Sequence, residues 1–341
     1  MQRWVSRVVT VTVVVLCAFY SACQEMEDDD DETSTSEQAG SNLQGSNLQG
    51  SNLQGSNLQG MSVQGFQIDG ATLGGAPLVN IRVERGEVVA DQNQLTLRGS
   101  ALTNAHLLAR VRNLNVDPPA SAVVEYRIAN IAVEDPKYDP THTESTYLYT
   151  LEQWVEDSGS WQLACPPDLD NLHVAIPVAA IWDETGARIE SSTLFTLGCT
   201  TGVIAKCYRW GYRPWIPGYG DLAAMHWTCT RLARADYCGD GVSHTHDGTL
   251  INVWDNLPAP GPIQTHGGLS PLLPAIPGML FEAGWNTSGN VCLSHARWLT
   301  IGWLLAGVCP DHLLECNDPL AALGLDPSIH LFDESYPNLG L

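Results

Sequence analysis

Eight cysteines (Cys165, Cys199, Cys207, Cys229, Cys238, Cys292, Cys309 and Cys316) crowd into less than half of a 341-residue chain. No other feature limits the fold as much. An even set of clustered thiols forms a disulfide framework in an oxidising compartment, and a metal or redox site in a reducing one. Spacing argues against zinc, because no two of the eight stand as Cys-x-x-Cys. Up to four bridges follow, each worth ~2–4 kcal/mol when unstrained. The sequence leaves on the order of a hundred pairings open. The short separation of Cys309 and Cys316 makes them candidates for a local clip.

The compartment is signalled at the other end of the chain. Arg3 and Arg7 flank an apolar run, Val8 to Phe19, that leads into Tyr20-Ser21-Ala22-Cys23. A bilayer-spanning helix needs about 20 residues, and this run of 12 is too short. Residues 1–22 therefore read as a cleaved export signal, and no other segment is apolar enough to span. Ser21-Ala22-Cys23 resembles the end of a bacterial lipobox. That resemblance implies acylation of Cys23 and anchoring at the outer membrane or cell surface, each buried methylene adding ~0.8 kcal/mol. The alternative is plain cleavage near Ala22, giving a secreted or periplasmic protein.

Charge excludes other partners. Lys and Arg total 16 against 38 Asp and Glu, a formal charge of −22. Losing residues 1–22 removes Arg3 and Arg7 and takes it to −24. Such a chain offers nucleic acid no basic groove and anionic lipid heads no electrostatic attraction.

Composition divides the rest. Residues 23–40 carry Cys23 and the run Glu25-Met26-Glu27-Asp28-Asp29-Asp30-Asp31-Glu32. Like charges repel, so a disordered tether is expected there. Residues 41–78 hold a five-residue repeat: SNLQG four times, then MSVQG, FQIDG and ATLGG. Glycine closes each unit and an aliphatic residue (Leu43 through Leu73) sits at its centre. The pattern resembles the pentapeptide-repeat family, whose units form the sides of a square β-helix. A coil is expected most from residue 61 onward, with a flexible linker as the competing reading of the identical copies.

Residues 79–160 form a β-rich region. Ile81–Arg85, Gln94–Arg98, Val123–Val133 and Thr146–Leu151 alternate or are β-branched, as do His173–Trp182 and Ile189–Leu197 further on. Residues 161–320 add helical spacing over Thr200–Tyr212 and Asp221–Tyr237, a strand over Thr249–Trp254, and a loop-rich remainder. Residues 321–341 read as a C-terminal tail. The fold class is α+β: a mainly antiparallel sheet, then a helix-containing, disulfide-rich part.

The second half also resembles a known family. Cys199-Thr200-Thr201-Gly202-Val203-Ile204-Ala205-Lys206-Cys207, Gly211-Tyr212-Arg213-Pro214-Trp215, and above all Cys229 through Gly241 (CTRLARADYCGDG) look like the ADYC-domain family of bacterial exported proteins. The resemblance covers about residues 160 to 316. It implies export and a domain, and no activity.

Candidate sites centre on Asp236 to Asp247. As a calcium loop this stretch offers Asp236, Asp240, Gly241 and Asp247, but Cys238 occupies an oxygen-ligand position. A polar turn pinned by a disulfide is the weightier reading. His244, His246 and Asp247 could ligate zinc if Asp255 or His266 added a further ligand. That pattern would suit an exported metal-dependent hydrolase. Cys238 with His244 and Asp240 would make a nucleophile only if the geometry brought them together. Ten of eleven tryptophans lie between Trp154 and Trp303. They would either fill the core or bind a carbohydrate or protein partner. The function expected is a membrane-anchored lipoprotein used for binding or envelope structure, with no cofactor; zinc or calcium belongs to the hydrolase alternative.

Overall fold

Strand patterning builds the first sheet. The structure is a computed structural model and describes residues 63–113, 120–141, 145–191, 194–246, 248–258, 260–298, 309 and 314–337. The signal, Cys23, the tether and the SNLQG copies lie outside the described residues. Strands β1 (Val63–Leu73), β2 (Ala76–Pro77), β6 (His106–Asn113), β7 (Ala120–Val133), β8 (Tyr147–Val155), β10 (Ala175–Val178) and β13 (Thr196–Cys199) pair antiparallel in the order β13-β10-β8-β7-β6-β1-β2. Strand β9 (Ser160–Leu163) adds to β8. In β6, Leu107, Ala109 and Val111 point to the core while Leu108 and Arg110 face out.

The repeat contributes β1. A five-residue period in a strict two-residue pleat would turn successive central residues to opposite faces. Against β6, β1 shows one register shift between Gln64 and Gln67 and another between Ile68 and Gly70. Each bulge inserts one residue, so Ile68 and Leu73 both pack on the same core. Over residues 63–73 the units thus run as a bulged sheet strand, where a square coil was expected.

A second layer, β3 (Val79–Glu84), β4 (Glu87–Gln92) and β5 (Leu95–Arg98), closes that core with Val88 and Ala90. The turn between β3 and β4 uses Arg85 and Gly86, both at positive φ (52° and 74°), the twist that two-residue hairpins favour. Strands β10 and β13 are buried along their whole length, because one face meets this core and the other meets the helices. Ala175 belongs to the first core, Ile176 and Val178 to the second.

That second core is built on α1 (Val203–Arg209) and α2 (Leu222–Arg234). Both fall inside their expected spans. Asp221 caps α2 by accepting from the Ala224 N–H at 3.0 Å, and Ala235, left-handed at φ 51°, ends it. A short hairpin, β11 (Ala180–Trp182) and β12 (Arg188–Glu190), lies beside them. The expected Ile189–Leu197 strand is therefore split between β12 and β13. Beyond stands a second sheet in the order β14-β18-β15-β16-β17: β14 (Ile251–Asp255), β15 (Leu280–Asn286), β16 (Gly289–Leu293), β17 (Leu314–Glu315) and β18 (Leu331–Ser335). Helix α3 (Pro319–Leu325) accompanies it.

Strand β18 corrects the reading of a C-terminal tail: it is buried throughout and sits between β14 and β15. The reason it is illegible is chemical. Its sequence, LFDES, places Asp333, Glu334 and Ser335 in the core, which breaks apolar alternation.

Four disulfides join Cys165–Cys199, Cys207–Cys229, Cys238–Cys309 and Cys292–Cys316. The expected Cys309–Cys316 clip does not form. Cys309 reaches back to the end of α2 and Cys316 to β16, so three-dimensional proximity overrides sequence distance.

Candidate functional site

Four consecutive residues after α2 each hold something in place. Ala235 makes the left-handed turn that ends the helix. Asp236 is fully buried, pairs with Arg231, and accepts from the Gly241 N–H at 3.1 Å. The Tyr237 hydroxyl donates to Glu282 Oε1 at 2.8 Å and accepts from the Arg297 N–H at 3.0 Å. Cys238 is bonded to Cys309. Next comes Gly239 at φ 68°, where a Cβ would overlap the Ser288 carbonyl oxygen of the β15–β16 turn. This segment ties α2 to the second sheet.

Beneath it lies an ionic cluster with no exposure. Arg297 donates from Nε to Glu282 at 2.9 Å, and from Nη2 to Asp333 Oδ2 at 2.7 Å and to the Leu232 carbonyl at 3.0 Å. Trp285 Nε1 donates to Asp333 Oδ1 at 2.8 Å. One guanidinium serves two carboxylates. Burial, and then the charge of Glu282, push Asp333 well above the ordinary carboxylate range.

The described members of the expected metal set make other contacts. The His244 backbone N–H donates to the Arg234 carbonyl at 3.0 Å, and its ring stacks on Tyr237 with centroids 5.9 Å apart. His246 packs against Trp298 at 4.1 Å. Asp247 lies outside the described residues. Asp255 accepts from the Gln264 N–H at 2.7 Å and the Tyr212 hydroxyl at 3.1 Å, and burial pushes it up to about 6. His266 packs on Trp254 and lies 3.4 Å from Glu334. Among the described residues no three His, Cys, Asp or Glu side chains group as metal ligands do. Asp236 faces a guanidinium where the calcium loop would need a cation, and the chain runs on to strand β14 rather than a helix. Cys238, as a disulfide, has no thiol for nucleophilic attack. Every described tryptophan is buried or half-buried.

Sequence reasoning misses one feature, a cavity of ≈ 220 Å³ lined by Arg85, Arg188, Glu190, Tyr208 and Trp215 among others. It lies where the β3–β4 turn, the β11–β12 hairpin and α1 meet. Trp215 stands edge-on to Tyr208 at 5.2 Å. Its ring lies so close to Gly86 that a Cβ there would come within 2.5 Å. His226, on the other side of Tyr208 at 4.4 Å, gives its Nε2 to the Ile204 carbonyl at 2.9 Å. Burial drops its pKa to about 3, so the ring is neutral. Trp215 does stand in the Gly211–Trp215 motif; Arg85 and Arg188 read only as strand and turn residues.

A family model described as the ADYC domain matches residues 99–299, and one described as pentapeptide repeats (8 copies) matches residues 39–75. The first begins at residue 99, so it takes in most of the first sheet as well as the cysteine-rich part. No curated protein and no solved structure matches the chain. Residues 99–299 are more than half of the chain, and its most specific motif is the segment that fastens α2 to the second sheet: the protein belongs to the ADYC-domain family, with pentapeptide repeats ahead of the domain.

Proposed function

We propose that this is an exported protein, held to a membrane by acyl chains on Cys23, whose folded part serves binding or envelope structure. The observation that carries the reading is the pairing of all eight domain cysteines, since persistent disulfides belong to oxidising compartments. Support also comes from the N-terminus, where a short apolar run ends at Cys23 and an acidic tether follows. Within the family motif, Asp236, Tyr237 and Cys238 are each committed to a structural bond, which favours a scaffold over a reaction centre.

The test is the mass of the mature N-terminal peptide from full-length protein made in a bacterial host. The expected peptide starts at Cys23 and carries acyl chains, and the protein partitions with membranes until detergent is added. A mature chain that starts elsewhere, or an unmodified Cys23, would contradict the lipid anchor.

A further inference from the structure

Two tryptophans stand outside the hydrophobic cores. Trp154 on β8 and Trp161 on β9 are half-buried and belong to none of the apolar clusters among the described residues. Both lie on the outer face of the first sheet, because the pleat puts Glu152 and Trp154 on the side opposite buried Leu151 and Trp161 is paired with Trp154. On that face His106, Arg127, Glu152 and Leu163 stand in one row across β6, β7, β8 and β9. Three strand spacings, roughly 14 Å, separate the ends of the row. The Trp161 and His106 rings nevertheless meet at 5.3 Å, so both reach along the sheet instead of away from it. Arg127, on the strand between, lies 4.8 Å from the Trp161 ring centroid. One face of the indole therefore rests on the guanidinium, and the other is turned outward. His106 at 85° and Trp154 at 65° meet this ring edge-on, 5.3 and 5.5 Å away. The result is a flat aromatic floor edged by two further rings.

The charges around that floor are already matched. Arg127 donates to Glu152 at 2.8 Å, Arg110 donates to Asp69 at 2.7 Å, and His106 Nδ1 lies 2.8 Å from Glu125 Oε1. An anionic partner would find no spare cation among these, on a chain of net charge −22. A second protein would need a continuous apolar patch. The exposed aliphatic residues of this face are instead each opposed by a charged one: Leu108 by Glu125, Val123 by Arg110 and Leu163 by Glu152. Charge and pattern together select a neutral ligand rich in hydroxyl groups. The side chains of Glu125 and His106, 42% and 40% exposed, offer acceptors to O–H donors, and an indole face attracts polarised C–H groups.

We propose that this face binds a neutral, β-linked oligosaccharide of glucose-like rings, one ring stacked on Trp161 beside Trp154 and His106, with its hydroxyls donating to Glu125. In such a ring every hydroxyl is equatorial, so both faces carry only axial C–H bonds. The equatorial linkage keeps successive rings in a flat ribbon, which suits an open sheet face better than a pocket. The inference rests on the binding reading above and is independent of the anchor, since an unmodified Cys23 would leave this face intact.

The probe is cellotetraose, titrated by calorimetry into the full-length, disulfide-bonded protein, with sorbitol as a control that offers hydroxyls without a ring. Cellotetraose should bind saturably and sorbitol should not. Trp161→Ala removes the floor and should weaken binding about tenfold or more. Trp161→Phe keeps a smaller ring and should weaken it about threefold with little change in thermal midpoint. The proposal therefore stays testable even if the alanine variant fails to fold. Glu125→Gln leaves a neutral, weaker acceptor and should cost about threefold. Raising sodium chloride from about 50 to about 500 mM should change the affinity less than about twofold, because no ion pair forms. Cellotetraose that fails to saturate, or binds no better than sorbitol, would overturn the proposal. So would unchanged affinity in any of the three variants, or a larger fall with salt.

Discussion

Among the described residues 63–199, Glu134 is the one charged residue buried as a whole, joined by the covered side chains of Asp168 and Arg188 (5% and 4% exposed). Beyond them the same fold buries Lys206, Arg213, Arg231, Arg234, Asp236, Asp255, Glu282, Arg297, Asp333 and Glu334. Glu134 itself bonds Arg209 of α1 at 2.8 Å, so it too looks toward the second region. The disulfides follow the same division, one within the first core and three beyond it. The first core is an apolar sandwich, stabilised by area removed from water. The second buys its uniqueness with ion pairs and cross-links, which gain stability only when every partner is present.

The sharpest way to break this contrast is Arg297→Met. It leaves Glu282 and Asp333 buried without their cation, and should cost ~3–5 kcal/mol in denaturant unfolding. A loss under about 1 kcal/mol would show the cluster to be replaceable by packing.

A pH series probes the same region. Asp255 rises from the usual 3.8 to about 6 in the fold, so the native state holds this proton more tightly than the unfolded chain. Its stabilising contribution is full below about pH 4 and is lost as pH rises through about 6, a span of roughly 3 kcal/mol. Between those limits wild type should lose stability relative to Asp255→Asn by that amount; a flat or rising difference would contradict the assignment. The sheet offers the opposite sign: Arg98 and then Arg82, bonded to Glu84, hold its carboxyl below the ordinary range.

Gly239→Ala tests the tie itself. Positive φ and the Ser288 carbonyl both oppose a Cβ, so a loss of roughly 2–3 kcal/mol is expected from thermal unfolding. The smallest effect belongs to the first core. Leu151→Met keeps volume and polarity at a fully buried site and should cost less than about 1.5 kcal/mol. A larger loss would mean that the sheet core is as unforgiving as the ionic one.

The same division decides what the sequence makes legible. Strands β3, β5, β7 and β8 can be read from alternation or β-branched content in the sequence, and β14 as a short apolar run, although it is buried throughout. The two helices are legible from their spacing and from the Asp221 cap. Strands β15 and β18 are not, because Glu282, Asp333 and Glu334 look like surface residues until Arg297 and Trp285 are brought to them by the fold. The bulges of β1 are hidden for a related reason: a period of five implies a coil unless one residue per unit is known to leave the pleat. The sequence shows that a disulfide framework exists but not its pairing, and the Arg188 cavity joins residues about 130 positions apart, a distance no local pattern spans.

The central claim is that the second region is held by long-range covalent links, and peptide mapping of the unreduced protein tests it most directly. The account predicts linked peptides for Cys165–Cys199, Cys207–Cys229, Cys238–Cys309 and Cys292–Cys316, with no free thiol among these eight. A Cys309–Cys316 peptide, or several titratable thiols under denaturing, non-reducing conditions, would contradict it.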